Sequence, residues 1–128
     1  MTKENLTTSA IQLLKDLIGI PSFSSEEHLT AARIEQWFTD YKVPFQRSQN
    51  NIWALNKHFD ASKPTLLLNS HHDTVKPNNG YTKDPFKAQL EDGKLYGLGS
   101  NDAGGCLVSL IATFTHFYAQ EHLNYNLV

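Results

Sequence analysis

The fold is decided by the stretch Thr65-Leu66-Leu67-Leu68-Asn69-Ser70-His71-His72-Asp73-Thr74-Val75. Its three consecutive leucines predict a short strand that is buried on both faces. Two histidines and an aspartate follow directly, and such polar groups are costly to bury without partners. Imidazole and carboxylate groups are also what a protein metal site requires. The stretch therefore predicts a candidate metal site at the end of a buried strand.

The alternation of side chains along an extended backbone divides these polar residues into two groups. Residues i and i+2 point to the same side, so His71 and Asp73 can act together while His72 turns away. We expect His71 to be a metal ligand and Asp73 to fix its tautomer through the other ring nitrogen. The alternative is a surface loop that happens to carry these residues, and so short a motif does not decide between them. For His72 we expect surface placement, with a contact to substrate as the alternative.

Composition limits the kinds of protein that this chain can be. It has 128 residues, of which 40% are hydrophobic and 19% charged, and its formal net charge is -2. These values indicate one globular domain, and the lack of a basic run argues against a nucleic-acid or anionic-membrane partner. The apolar runs are too short to span a membrane, and no secretory signal is visible at the N-terminus. The single Cys106, which we expect to be buried in a helix, excludes a disulfide framework and favours a cytoplasmic location.

Apolar periodicity predicts two amphipathic helices in the first third of the chain. The first begins near Thr7 to Ser9 and ends before Pro21. Ser24 and Glu27 have the spacing of a capping box, which predicts a second helix that continues to about Asp40. The buried stripes are predicted at Ile11, Leu13, Leu14, Leu17 and Ile18 in the first helix and at Ile34, Trp37, Phe38 and Tyr41 in the second.

Short strands and a third helix follow. A hairpin is predicted over residues 45–55, an irregular loop over 76–87, and a second hairpin over 88–96 that turns at Asp92-Gly93. A helix then runs to about His122, and a last apolar strand begins at Asn124. This alternation predicts an α/β fold, an αβα sandwich with a mainly parallel central sheet and antiparallel additions. Sites in such folds lie beyond the carboxyl ends of the strands, so the 71–73 and 97–105 segments can meet.

The glycine-rich turn over residues 97–105 carries the second candidate ligand, Asp102. Its four glycines allow the backbone to approach a ligand closely, and the Asp102 carboxylate could serve a metal pair. The alternative is that Asn101 or Asp102 caps the following helix. A phosphate-binding loop is excluded because the turn lacks the Gly-Lys-Ser/Thr ending.

Taken together, residues 70–75 and 95–105 indicate a particular protein family more specifically than either stretch does alone. The patterns Ser70-His71-x-Asp73-Thr74-Val75 and Leu95-Tyr96-Gly97-x-Gly99-x-x-Asp102-x-x-Gly105 resemble the acetylornithine deacetylase and succinyl-diaminopimelate desuccinylase family of zinc-dependent, aminoacylase-like metallopeptidases. The segments Ile18-Gly19-Ile20-Pro21-Ser22 and Asp84-Pro85-Phe86 are similar to the same family. The resemblance covers essentially the whole chain, and within the family it is nearest to acetylornithine deacetylase.

The resemblance implies a fold, a metal site and an activity. It implies a zinc-peptidase-like α/β domain in which His71 binds one of two Zn²⁺ ions, Asp102 bridges both and Asp73 orients His71. Co²⁺ is an alternative metal, and a cis peptide bond is expected between Asp102 and Ala103. The implied activity is the hydrolysis of an N-acyl amino acid such as N-acetylornithine, a step of arginine biosynthesis, by a homodimeric full-length enzyme.

The family also has parts that residues 1–128 do not supply. These are an adjacent Glu-Glu pair after the next strand, further acidic and histidine ligands, and a dimerisation domain. We therefore expect an N-terminal portion of a catalytic domain that binds zinc weakly and has negligible activity by itself. The alternatives are a di- or tripeptidase of the same fold and a non-catalytic α/β module that binds a partner through an unpaired sheet edge.

Overall fold

The structure, a computed structural model, describes residues 3–128. These residues form three α-helices, one irregular helical turn and six short strands. In chain order the elements are α1 (Lys3–Gly19), α2 (His28–Asp40), β1 (Gln46–Ser48), β2 (Asn51–Trp53), β3 (Thr65–Leu66), β4 (Gln89–Glu91), β5 (Lys94–Tyr96), the turn Ser100–Gly104, α3 (Gly105–Phe117) and β6 (Asn126–Leu127). Within the described range, no helix is both long enough and apolar enough to cross a membrane.

The strands pair as three separate two-stranded sheets. Two of them are the predicted antiparallel hairpins, β1 with β2 and β4 with β5. The third is a parallel pair in which Thr65 of β3 lies opposite Asn126 of β6. The predicted α/β class, with parallel pairing and antiparallel additions, is confirmed. Over residues 3–128 the parallel sheet consists of this one pair.

The three helices pack into one hydrophobic core. Its buried side chains come from every helix and include Leu13 and Leu17 of α1, Trp37 of α2, and Ile111 and Phe114 of α3. Each such side chain contributes roughly 1.5–3 kcal/mol on burial. The buried Trp37 indole also has a partner, because its N–H donates to the Thr115 hydroxyl at 3.0 Å. The loops that carry the polar segments are thus anchored on a packed helical layer.

Several predicted helix features were wrong. α1 already includes Lys3, and Ile11 is 45% exposed because the buried stripe follows Leu13, Leu14, Leu17 and Ile18 instead. α2 begins at His28 without a side-chain cap, so Ser24 and Glu27 do not form a capping box. α3 ends at Phe117 rather than near His122. Cys106 is exposed, since the buried face of α3 is set by Leu107, Val108, Ile111 and Phe114.

The leucine run was predicted to be buried on both faces, and this prediction was also wrong. Leu66 is 49% exposed and Leu67 is 63% exposed. β3 has β6 on one side, and the far side of β6 is occupied by the buried Asn56, whose side chain and backbone both bond to Leu127. Within residues 3–128 no strand pairs with the outer edge of β3. Residues 3–128 thus leave β3 with one neighbouring strand and leave the side chains of Leu66 and Leu67 largely uncovered.

Candidate metal centre

His71 lies between two aspartates, one at each of its ring nitrogens. Its Nδ1 is 3.0 Å from Asp73 Oδ1, and its Nε2 is 3.1 Å from Asp102 Oδ1. The His71 side chain is 51% exposed and that of Asp102 is 88% exposed, so both can be reached from solvent. A cavity of about 380 Å³ also opens beside His71. The structure thus brings together the three side chains that the sequence singled out, although 31 residues separate His71 from Asp102.

Asp73 is held on its other side by a residue that the sequence analysis assigned to a different role. Its Oδ2 accepts a hydrogen bond from the Ser24 hydroxyl at 2.5 Å. The two segments run side by side, since Phe23 and Thr74 form a parallel bridge and the Thr74 N–H donates to the Ser22 carbonyl at 2.7 Å. Ser24 and Asp73 are 49 residues apart, so local sequence spacing contains no signal for this contact.

Asp102 is presented by the irregular turn before α3. The turn is compact: Gly99 adopts φ +75°, and a Cβ atom on Gly104 would lie 2.6 Å from both the Gly99 carbonyl oxygen and Leu14 Cδ1. The backbone at Asp102 is not helical, at φ -118° and ψ 98°, and Gly104 occupies the N-cap position of α3. Asp102 is therefore not a helix cap. The peptide bond between Asp102 and Ala103 is cis, as the family resemblance implied.

His72 turns away from His71 and Asp73, as the alternation predicted. Its Nε2 donates to the Asn50 carbonyl at 2.9 Å, and its Nδ1 lies 2.8 Å from the Thr30 hydroxyl. The side chain is partly buried, so the expected surface placement was wrong. Because both ring nitrogens already have protein partners, His72 ties the 71–73 segment to α2 and to the hairpin loop.

Hydrogen bonds shift the pKa values of His71 and Asp73 in opposite directions. Burial lowers the pKa of His71, but the hydrogen bonds with Asp102 and then Asp73 outweigh it, and the pKa is raised from 6.5. The Ser24 hydroxyl is the main cause of the lowered pKa of Asp73; burial opposes it, and the bond with His71 adds to it. The pocket around His71 is therefore one that stabilises positive charge.

The geometry of His71 and Asp102 fits a divalent metal ion. With zinc–ligand bonds of about 2.0–2.1 Å, two ligand atoms of a tetrahedral site lie about 3.3 Å apart. The observed separation of Nε2 and Oδ1 is 3.1 Å. With a proton on Nδ1 donated to Asp73, the neutral ring would offer its Nε2 lone pair to a metal. Among the described residues no group of three or more His, Cys, Asp and Glu side chains converges on one metal position, so this part of the chain offers two facing ligands.

Comparison with known sequences identifies related enzymes. Residues 67–128 match the model described as peptidase family M20/M25/M40. The chain is 33% identical over 111 residues to a succinyl-diaminopimelate desuccinylase of Gluconacetobacter diazotrophicus, a match that covers 82% of this chain and 29% of that enzyme. It is 34% identical over 117 residues to an acetylornithine deacetylase of Salmonella agona, covering 80% of this chain and 30% of that enzyme. The chain thus spans about 30% of the length of these relatives.

Solved structures show the same fold at lower sequence identity. A metallo-carboxypeptidase of Sulfolobus solfataricus superposes with a TM-score of 0.73 at 20% identity, over 99% of this chain and 30% of that one. Human carnosine dipeptidase 1 superposes with a TM-score of 0.67 at 18% identity, over 94% of this chain and 31% of that one. These likenesses support the α/β fold.

Proposed function

Because residues 67–128 match the model of peptidase family M20/M25/M40, we propose that the chain belongs to this family and contributes a metal centre to a hydrolase of N-acyl amino acids. The observation that carries this proposal is the approach of His71 Nε2 to Asp102 Oδ1 at 3.1 Å, with Asp73 behind the ring. The names of the relatives supply the reaction class: both act on an acylated amino acid, by deacetylation or desuccinylation.

In this proposal His71 and Asp102 hold a divalent metal, which is implied by membership of this metallopeptidase family. The finer assignment is two Zn²⁺ ions, with Co²⁺ as an alternative, for which His71 and Asp102 would be ligands. A bound divalent metal supplies Lewis acidity, which polarises an acyl carbonyl and acidifies water. The uptake of a proton from water is assigned to a glutamate of the Glu-Glu pair expected from the family, outside residues 1–128.

The chain's own residues prepare this centre. Asp73 accepts the Nδ1 proton of His71 and so fixes the tautomer that leaves Nε2 unprotonated for a metal. Asp102, at the tip of the glycine-rich turn, keeps its carboxylate exposed towards solvent. His72, tied to Thr30 and Asn50, fixes the backbone on which His71 is mounted. None of these roles requires a rearrangement of the described structure.

N-acetylornithine is the proposed substrate, which would place the enzyme in arginine biosynthesis. The span of about 30% of the relatives supports the proposal that these residues form a portion of a catalytic domain, and we propose that it is the N-terminal portion. A homodimeric full-length enzyme and a cytoplasmic location are further parts of the proposal. The runner-up is a dipeptidase, which is favoured by the structural likeness to human carnosine dipeptidase 1.

The test is an activity panel on the gene product that carries this sequence, loaded with Zn²⁺ or Co²⁺. The substrates are N-acetylornithine, N-succinyl-diaminopimelate and dipeptides. We expect hydrolysis of the acyl amino acids that is lost on chelation and in Asp102→Ala, because the metal then lacks one of its ligands. The control is Asp40→Ala, which removes an exposed carboxylate at the end of α2 and should retain full activity.

The possible results separate the candidate functions. Cleavage of dipeptides alone would replace the proposed substrate class with the runner-up. Hydrolysis that persists without metal, or in Asp102→Ala, would refute the proposed centre. We further expect negligible hydrolysis of N-acetylornithine by residues 1–128 alone.

A further inference from the structure

The Ser24 hydroxyl is placed where it can control the metal ligand His71 through Asp73. Ser24 lies in the connection between α1 and α2, and its Oγ donates to Asp73 Oδ2 at 2.5 Å. The opposite oxygen of the same carboxylate, Oδ1, is 3.0 Å from His71 Nδ1. Ser24, Asp73, His71 and Asp102 thus form one chain of contacts that ends at the proposed metal position.

We propose that Ser24 is a positioning residue of the metal centre, whose hydroxyl fixes the rotation of the Asp73 carboxylate and thereby the tautomer of His71. This inference rests on the proposed function, in which His71 Nε2 binds the metal. A carboxylate rotates easily about its terminal torsion, which has broad energy wells. Held by Ser24 at one oxygen, it presents the other to Nδ1 in a fixed direction.

Other bonds fix the backbone of this segment, so the Ser24 contact is free to act on the side chain alone. The Thr74 N–H donates to the Ser22 carbonyl at 2.7 Å, and the Ser22 hydroxyl donates to the His72 carbonyl at 3.0 Å. The His72 ring is in turn bonded to Thr30 and Asn50. Removal of the Ser24 hydroxyl should therefore leave the 71–74 backbone in place.

Helix capping does not explain the position of the Ser24 hydroxyl. α2 begins at His28, its N-cap position is Glu27, and no side chain caps it.

The test compares Ser24→Ala and Ser24→Thr with a matched control, Ser62→Ala. The Ser62 hydroxyl also donates a hydrogen bond to an aspartate, Asp60, at 2.7 Å, in the loop between β2 and β3. The first readout is the ¹⁵N shift of the His71 ring nitrogens in the metal-free chain carrying Asp102→Ala, which removes the competing carboxylate at Nε2, at a pH well above the His71 pKa. In this background we expect the Nδ1–H tautomer with Ser24, a mixture of tautomers in Ser24→Ala, and restoration in Ser24→Thr.

The second readout is Co²⁺ affinity, which we expect to fall about tenfold in Ser24→Ala, in line with losses of outer hydrogen-bond partners. It should be unchanged in Ser62→Ala. If the tautomer of His71 in the Asp102→Ala background is the same with Ser24 as with Ser24→Ala, the positioning role is refuted. If the wild type fails to bind Co²⁺ at His71, the proposed function fails, and the tautomer result still decides the role of Ser24.

Discussion

At the scale of single residues, His71 is defined by the two carboxylates on its ring nitrogens. Asp73 is a neighbour in sequence, and its contact follows from the alternation of an extended chain. Asp102 comes from 31 residues further on, and its position depends on the irregular turn Ser100–Gly104, which packs against α1. The sequence could predict the first contact from regular backbone geometry. The second was inferred from a shared sheet edge, whereas over residues 3–128 β3 and β5 belong to separate sheets.

The partners of Ser24 and His72 could not be predicted in that way. Ser24 bonds to Asp73 across 49 residues, and His72 bonds to Thr30 across 42. The local pattern around Ser24 instead favoured a capping box. A serine hydroxyl has several local uses of similar energy, and tertiary packing decides among them.

The raised pKa of His71 gives a prediction for the metal-free chain. An NMR titration should find its pKa above 6.5, and Asp102→Asn should lower it, because the bond with Asp102 is the strongest of the contacts that raise it. Protonated His71, bonded to its two aspartates, therefore adds to the free energy of unfolding at pH values below its unfolded pKa of about 6.5. This contribution is lost as the pH rises through the pKa of His71 in the folded chain. A His71 pKa at or below 6.5, or no change in Asp102→Asn, would contradict this account.

At the scale of elements, the turn Ser100–Gly104 decides where Asp102 lies. It follows the β4–β5 hairpin and packs against α1, and the absence of a side chain at Gly104 permits this packing. The glycines at its ends were visible in the sequence, and they correctly indicated a close backbone approach. The predicted end of α3, near His122, lay beyond its observed end at Phe117. Residues 118–122 mix polar and apolar side chains in an order that is also compatible with a helix.

Gly104→Ala should disrupt the turn by crowding alone. The backbone at Gly104, φ -56° and ψ -44°, suits any residue, but the new Cβ would lie 2.6 Å from the Gly99 carbonyl oxygen and from Leu14 Cδ1. We expect a loss of about 1–3 kcal/mol in the free energy of unfolding, as for other overpacked sites, measured by urea denaturation.

The control for this substitution is Gly19→Ala, at the end of α1. There the nearest atom to a new Cβ is the Phe86 carbonyl oxygen at 4.0 Å, an ordinary contact. We expect no loss of stability from this change. Equal stabilities for the two variants would show that the turn does not depend on close packing at Gly104.

At the scale of the whole molecule, the fold class was predictable and the burial of its sheet was not. Alternating helical and strand periods indicated an α/β fold, which the structure and the comparisons confirm. The leucine run has the composition of a central strand, yet Leu66 and Leu67 are exposed because burial depends on which strands lie beside β3. Composition shows that a strand can be buried, but the elements packed around it decide whether it is buried.

The central claim is that His71 and Asp102 share one divalent metal, and Co²⁺ binding by this chain tests it most directly. Titrations followed by absorption spectroscopy would compare the wild type with His71→Ala, Asp102→Ala and the control His122→Ala. His122 is an exposed histidine that also lies near a carboxylate, with its Nε2 3.8 Å from Glu121 Oε2. We expect weak binding by the wild type and by the control, and at least about tenfold weaker binding by each ligand variant. Equal affinity in all four proteins would contradict the claim.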